Sequence, residues 1–190
     1  MKRIATTLLF LIIIVSLSFS ASVADAELNL GVNIGSVFGL IVHDSKANQP
    51  SITYPTNPTQ WSYLNSVGTN DDPIWLAYDD EGGTQNHSRK LAVSAMTNVS
   101  NSYVVTATIA PLAVSGSSSR MGYTVTVNQS TTTVEKYDNP SSIDLMTISN
   151  ASDLTFQTQE FTVALIEDDL TKAGSGLYKT TWTIEITATE

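Results

Sequence analysis

From Leu28 to Val42 the chain places apolar residues at every second position: Leu28, Leu30, Val32 and Ile34, then Phe38, Leu40 and Val42 after a polar break at Ser36. A period of two is the period of a β-strand, in which successive side chains point to opposite faces. The same period returns at Leu91, Val93 and Ala95, at Tyr103, Val105, Ala107 and Ile109, and at Tyr123, Val125 and Val127. Repeated runs of this kind, each greasy on one side, restrict the chain to antiparallel sheets that bury one face. No stretch beyond the first 26 residues sustains a helical period. Only 14% of residues are charged, so the surface-helix formers Lys, Arg and Glu are scarce.

The spacing predicts about nine strands in one domain over residues 27–190, an all-β antiparallel sandwich of immunoglobulin-like or jelly-roll-like kind. Expected strands include Ile74–Tyr78, Lys90–Thr97, Tyr103–Ile109, Tyr123–Val127, Thr132–Tyr137, Ile143–Ile148 and a closing run from Tyr178 to Ile186. Asn98 to Ser102 reads as a hairpin connection. Between Leu154 and Ile166 the apolar parity changes, from Leu154 and Phe156 to Phe161, Val163 and Leu165; a bulge near Gln159-Glu160 would absorb the change. Asp168 to Gly176 reads as a loop with room for a helical turn.

Residues 1–26 read as a cleaved secretory signal peptide of bacterial or archaeal style. Lys2 and Arg3 precede the unbroken apolar run Leu8–Val15, and Ala24-Asp25-Ala26 is a small-x-small cleavage site. That run is too short to span a membrane, which takes about 20 residues. Removing Lys2, Arg3 and Asp25 from 9 basic and 18 acidic residues leaves 7 and 17, a net charge of about −10. A surface this acidic disfavours nucleic acid and anionic lipid as partners. There is no cysteine, so neither disulfides nor a lipoprotein anchor is expected. The expected location is extracellular or cell-surface, through the periplasm if the organism has an outer membrane, with no stable transmembrane anchor in the mature form.

Candidate chemistry is sparse. The two histidines, His43 and His87, belong to no metal-spaced cluster, and no thiol is present. A Ser-His-Asp arrangement cannot be read from a chain so rich in serine, and no enzyme activity is expected; a hydrolase is the remotest reading. Asp71-Asp72 and Asp79-Asp80-Glu81 offer hard oxygen ligands and leave calcium open as a cofactor, although the alternating D-x-D spacing of a calcium loop is missing. Trp61, Tyr63, Trp75 and Tyr78 cluster in sequence; Trp61 and Tyr63 are the candidate glycan contacts, and the competing roles are core packing for Trp75 and Tyr78 and the covering of a sheet edge for Trp61. Asn86, Asn98, Asn128 and Asn150 each begin an N-x-S pattern.

The opening run raises two possibilities. It either forms a strand of its own sandwich, or it completes the sheet of a neighbouring subunit, with Leu28, Leu30, Val32, Ile34, Phe38 and Leu40 filling the neighbour's pockets. Head-to-tail use would build a filament. The stretch Ala173-Gly174-Ser175-Gly176-Leu177-Tyr178-Lys179-Thr180-Thr181-Trp182-Thr183-Ile184 resembles the closing strands of two families. Pilin-like subunits often end with Gly-x-Tyr followed by alternating Thr and Val. WxL cell-surface domains end with a Tyr, a few residues, then Trp-x-Leu; Trp182-Thr183-Ile184 is the counterpart, with Ile184 in the leucine's place. The resemblance implies an exported, non-enzymatic β-sandwich. Expected partners are other copies of the chain, other surface subunits, a glycan or the cell wall. The expected function is a structural or adhesive surface protein, possible in two forms: a pilin-like subunit joined by strand addition through residues 28–42, or a carbohydrate- or wall-binding module.

Overall fold

The period-two runs fold as antiparallel strands. The computed structural model describes residues 37–69, 74, 76, 87–151 and 153–189, and of Asn150 the backbone alone. Among them are eleven strands rather than nine: β1 (Phe38–Asp44), β2 (Ser88–Thr97), β3 (Asn101–Ile109), β4 (Leu112–Val114), β5 (Arg120–Met121), β6 (Tyr123–Val127), β7 (Ser130–Val134), β8 (Ser141–Ala151), β9 (Thr155–Leu165), β10 (Tyr178–Lys179) and β11 (Thr183–Thr189). Three of these, β4, β5 and β10, are too short to show a period in sequence. Two short helices, α1 (Pro58–Trp61) and α2 (Glu167–Lys172), interrupt them.

The strands build a five-stranded sheet in the order β1-β2-β9-β6-β7, a three-stranded sheet β11-β3-β8, and a small sheet β10-β4-β5. The two larger sheets share one core. Leu91, Val93 and Ala95 of β2 and Tyr123, Val125, Phe161 and Val163 of β6 and β9 meet Tyr103, Val105, Ala107 and Ile109 of β3 and Leu145, Met146 and Ile148 of β8. Each fully buried side chain of this size contributes about 1.5–3 kcal/mol, so this cluster is the main source of stability. Phe38 crosses to Tyr103 edge-on at 5.7 Å. Trp182, just ahead of β11, stacks on both Tyr123 and Phe161 at 6.0 Å and donates its indole N–H to the Tyr123 hydroxyl at 2.9 Å. That hydroxyl donates in turn to the Ala110 carbonyl, and burial pushes the phenol pKa up to about 12.

Several local expectations are corrected. The hairpin expected at Asn98 to Ser102 is absent: β2 and β3 lie in different sheets. Both strands bury their odd-numbered face, and two such faces gain more by stacking than by lying side by side. The closing run is broken at residues 180–182 into β10 and β11. The bulge expected in β9 is absent, and its pairing with β2 runs without interruption from Ser88↔Ala164 to Thr97↔Thr155. β9 changes parity because it is covered on both faces: Phe161 and Val163 point into the core, while Phe156 meets Trp61 on the other side at 6.3 Å. A register shift does occur in β8, between Val105↔Met146 and Thr106↔Asp144. It lets both Leu145 and Met146 reach the core.

Two turns show why particular residues stand where they do. β6 and β7 are joined through Asn128 and Gln129, at φ 48° and 68°. Two successive positive φ values match the strand twist of a tight hairpin, and asparagine tolerates them best after glycine. At Gly122, between β5 and β6, a Cβ would stand 2.6 Å from the Val134 carbonyl, so only glycine passes. Its N–H donates to Asp169 of α2 at 2.9 Å, and this bond, with Lys136 at 3.2 Å, holds the Asp169 carboxyl below its ordinary range.

Candidate functional site

The outer face of the five-stranded sheet, away from the shared core, is also covered. The register places Gly39, Ile41 and His43 of β1 beside Met96, Ser94 and Ala92 of β2, and those beside Phe156, Thr158 and Glu160 of β9. Residues 45–67 run over this face. Ala92 and Ser94 are therefore as fully buried as the core residues that alternate with them.

A buried polar relay lies under the cover. The His43 ring bonds the Asp44 carbonyl through Nδ1 and the Ser94 hydroxyl through Nε2, each at 2.8 Å. A carbonyl only accepts, so Nδ1 carries the proton, Nε2 accepts from Ser94, and Thr158 donates to Ser94 at 2.6 Å. His43 and Ser94 are both 0% exposed, so this base–hydroxyl pair is closed to any substrate. Ser94 lies 51 positions from His43 and carries no local signal in the sequence.

Burial lowers the His43 pKa, outweighing the Asp44 carbonyl and carboxylate, which raise it. A histidine with a lowered folded pKa leaves the unfolded chain to take up the proton first. Its contribution to stability is complete above the ordinary value of 6.5 and is lost progressively as pH falls below it. The melting temperature of the wild type should therefore drop between about pH 7 and pH 5, and a His43→Gln variant should show a flatter profile there. Equal slopes in thermal melts of the two proteins would refute this role.

Glu160 ties the cover down. Its Oε1 accepts from the Tyr54 hydroxyl and from Ser45 Oγ at 2.7 Å, and its Oε2 pairs with Lys90 at 2.7 Å. Lys90, Tyr54 and Ser45 together hold its pKa at about 2. Beside this hub, Arg89 grips Asp44 through Nε and Nη2 at 3.0 and 2.8 Å. Val67 closes part of β1's open edge by donating to the Val42 carbonyl at 2.9 Å, which limits pairing with foreign strands there.

Trp61 and Tyr63 have separate places. Trp61 turns inward over Gly39, where a Cβ would stand 2.8 Å from its ring. One bare position of the opening strand is thus the seat of this indole. Tyr63 is 77% exposed and lines an open cleft of about 520 Å³ with Asp44, Gln49, Gln60, Leu64 and Asn65 among others. Of the candidate assembly residues, Phe38 and Leu40 lie in β1, paired with Thr97 and Ala95 of the same chain. Leu28, Leu30, Val32 and Ile34 fall outside the described residues, as do the signal segment, the acids at 71, 72 and 79–81, and Trp75 and Tyr78. Among the described residues no group of three His, Cys, Asp or Glu side chains is placed to hold a metal ion. Asn128 is exposed at its hairpin, whereas the Asn98 side chain accepts from the Val37 N–H at 2.6 Å.

The architecture defines an all-β, antiparallel, sandwich-like protein. No protein-family model and no curated protein matches the chain. No helix among the described residues is long and apolar enough to cross a membrane.

Proposed function

We propose that this protein is a secreted or cell-surface structural or adhesive component, assembling by strand addition through the run that opens at Leu28. One observation carries the reading. β1 is an edge strand of the five-stranded sheet, and it begins directly after the alternating Leu28–Ile34 run. Residues 38–42 pair with β2 of their own sheet, so in this reading strand addition falls to residues 28–34. Among the described residues β7, β8 and β11 each pair with one strand, which makes them the candidate acceptor edges. The Trp182 stack and the absence of cysteine suit a subunit held by packing alone.

Deleting residues 27–35, which spares β1, tests this. Concentrated wild-type protein should form filaments visible by electron microscopy. The deletion should abolish them while its melting temperature stays within about 2 °C of wild type, since in this reading residues 27–35 serve the neighbour's sheet and β1 is kept whole. Unchanged filaments, or none in the wild type, would overturn the assembly reading.

A second reading, a carbohydrate- or wall-binding module, is favoured by the exposed Tyr63 ring at the mouth of the cleft.

A further inference from the structure

The cleft beside α1 takes its shape from one short turn. Asn57 caps that turn by accepting from the Gln60 N–H at 2.9 Å, and Pro58 opens it. Tyr63 N–H returns to the Gln60 carbonyl at 3.3 Å. Residues 60 and 63 are three apart and share a side of the turn, while Trp61 points the other way, onto Gly39 and Phe156. The indole is the peg that fixes the turn on the sheet, and it leaves the Tyr63 ring standing in solvent at the cleft. The ring is 77% exposed, so its face is open to a stacking partner.

The cleft that Tyr63 lines also carries polar side chains. Gln60 Oε1 is held by the Thr56 N–H and Thr56 Oγ1, both at 2.8 Å, which orients its NH₂ group as a free donor. The side-chain amides of Gln49 and Asn65 and the Tyr63 hydroxyl have no partner among the described residues, so donors and acceptors both remain unspent. The carboxylate at the cleft, Asp44, is bound bidentately by Arg89 and presents no uncompensated charge. An exposed ring and three amide side chains lining one cleft, with its one carboxylate paired, suit the CH faces and hydroxyls of a sugar. The volume of about 520 Å³ lies within the range of small-ligand sites. The whole chain carries a formal charge of −9, which repels anionic polymers.

We propose that the cleft formed by Tyr63, Gln60, Gln49 and Asn65 binds an uncharged oligosaccharide, with one pyranose stacked on Tyr63 and Trp61 acting as a positioning residue. This rests on the carbohydrate-binding reading above and adds the place and the class of glycan.

The test is titration calorimetry of the purified protein with chitotetraose, cellotetraose and polygalacturonate, alongside a pull-down on insoluble peptidoglycan. At least one of the two neutral tetrasaccharides should bind saturably. Tyr63→Ala should weaken that binding at least tenfold without moving the melting temperature, because the ring has few contacts to lose. Gln60→Ala should weaken it several-fold. Neutral-sugar binding that Tyr63→Ala leaves intact would overturn the site and leave carbohydrate binding standing. Binding of polygalacturonate alone would overturn the glycan class. Retention on peptidoglycan without binding of either neutral sugar would overturn the inference and keep the wall-binding reading. No binding in any arm would remove both.

Discussion

Trp182→Ala should lower stability by about 3 kcal/mol, the low end for a large aromatic truncated in a core, because the ring is partly rather than fully buried. In a domain of this size that corresponds to a fall in melting temperature of roughly 6–12 °C. Two losses combine. The indole fills the space between Tyr123 and Phe161, both in the five-stranded sheet, while its own backbone leads into β11 of the other. Its N–H also bonds the Tyr123 hydroxyl, which is almost wholly removed from water. Trp182→Phe should recover most of the packing and cost only about 1 kcal/mol for the missing donor. Thermal melts followed by near-ultraviolet circular dichroism separate these outcomes. An alanine variant that melts with the wild type would mean that the stack does not join the sheets. The same measurement bears on the likeness to WxL closing strands, since it asks whether this tryptophan serves the interior.

Glu160→Ala should cost about 2–4 kcal/mol, because three donors lose their acceptor together. Ser45 is fully buried, so its hydroxyl suffers most. Glu160→Gln keeps an acceptor for Tyr54 and Ser45 and should cost about half as much. The signature is local. Hydrogen exchange at amides between Lys46 and Val67 should accelerate more than in the core strands, since Glu160 holds the cover rather than the core. Uniform acceleration would show instead that the cover and the sandwich open as one unit. Protonation imitates the mutation. A carboxyl held at about 2 in the folded state, against 4.5 normally, contributes stability above 4.5 that disappears as pH falls toward 2. Acid should therefore act in two stages, first through His43 and then through Glu160.

Much of the fold was legible because a period of two is written into each strand locally. β6 runs over Tyr123–Val127 as the alternation predicts, and β2 and β3 lie within two residues of their expected bounds. The candidate site was legible only in part. Trp61 and Tyr63 stood out as neighbouring aromatics, but nothing in their spacing said that one would become a peg and the other a platform. That division depends on Gly39, a residue of a different strand. His43 was visible as a histidine at a strand end, and its partner Ser94 was hidden among many serines.

By itself, the sequence determined that the chain makes antiparallel strands, that the longer ones bury a side, and roughly where β2, β3 and β6 begin and end. Those are properties of consecutive residues, set by the pleat of a strand and the cost of leaving apolar side chains in water. Which strands pair and which stack was decided only by the tertiary structure. So were the displacement of the bulge from β9 to β8 and the roofing of the outer face of β2 and β9. An alternating pattern states that a face is covered without stating by what, and contacts across 50 or more positions settle the difference.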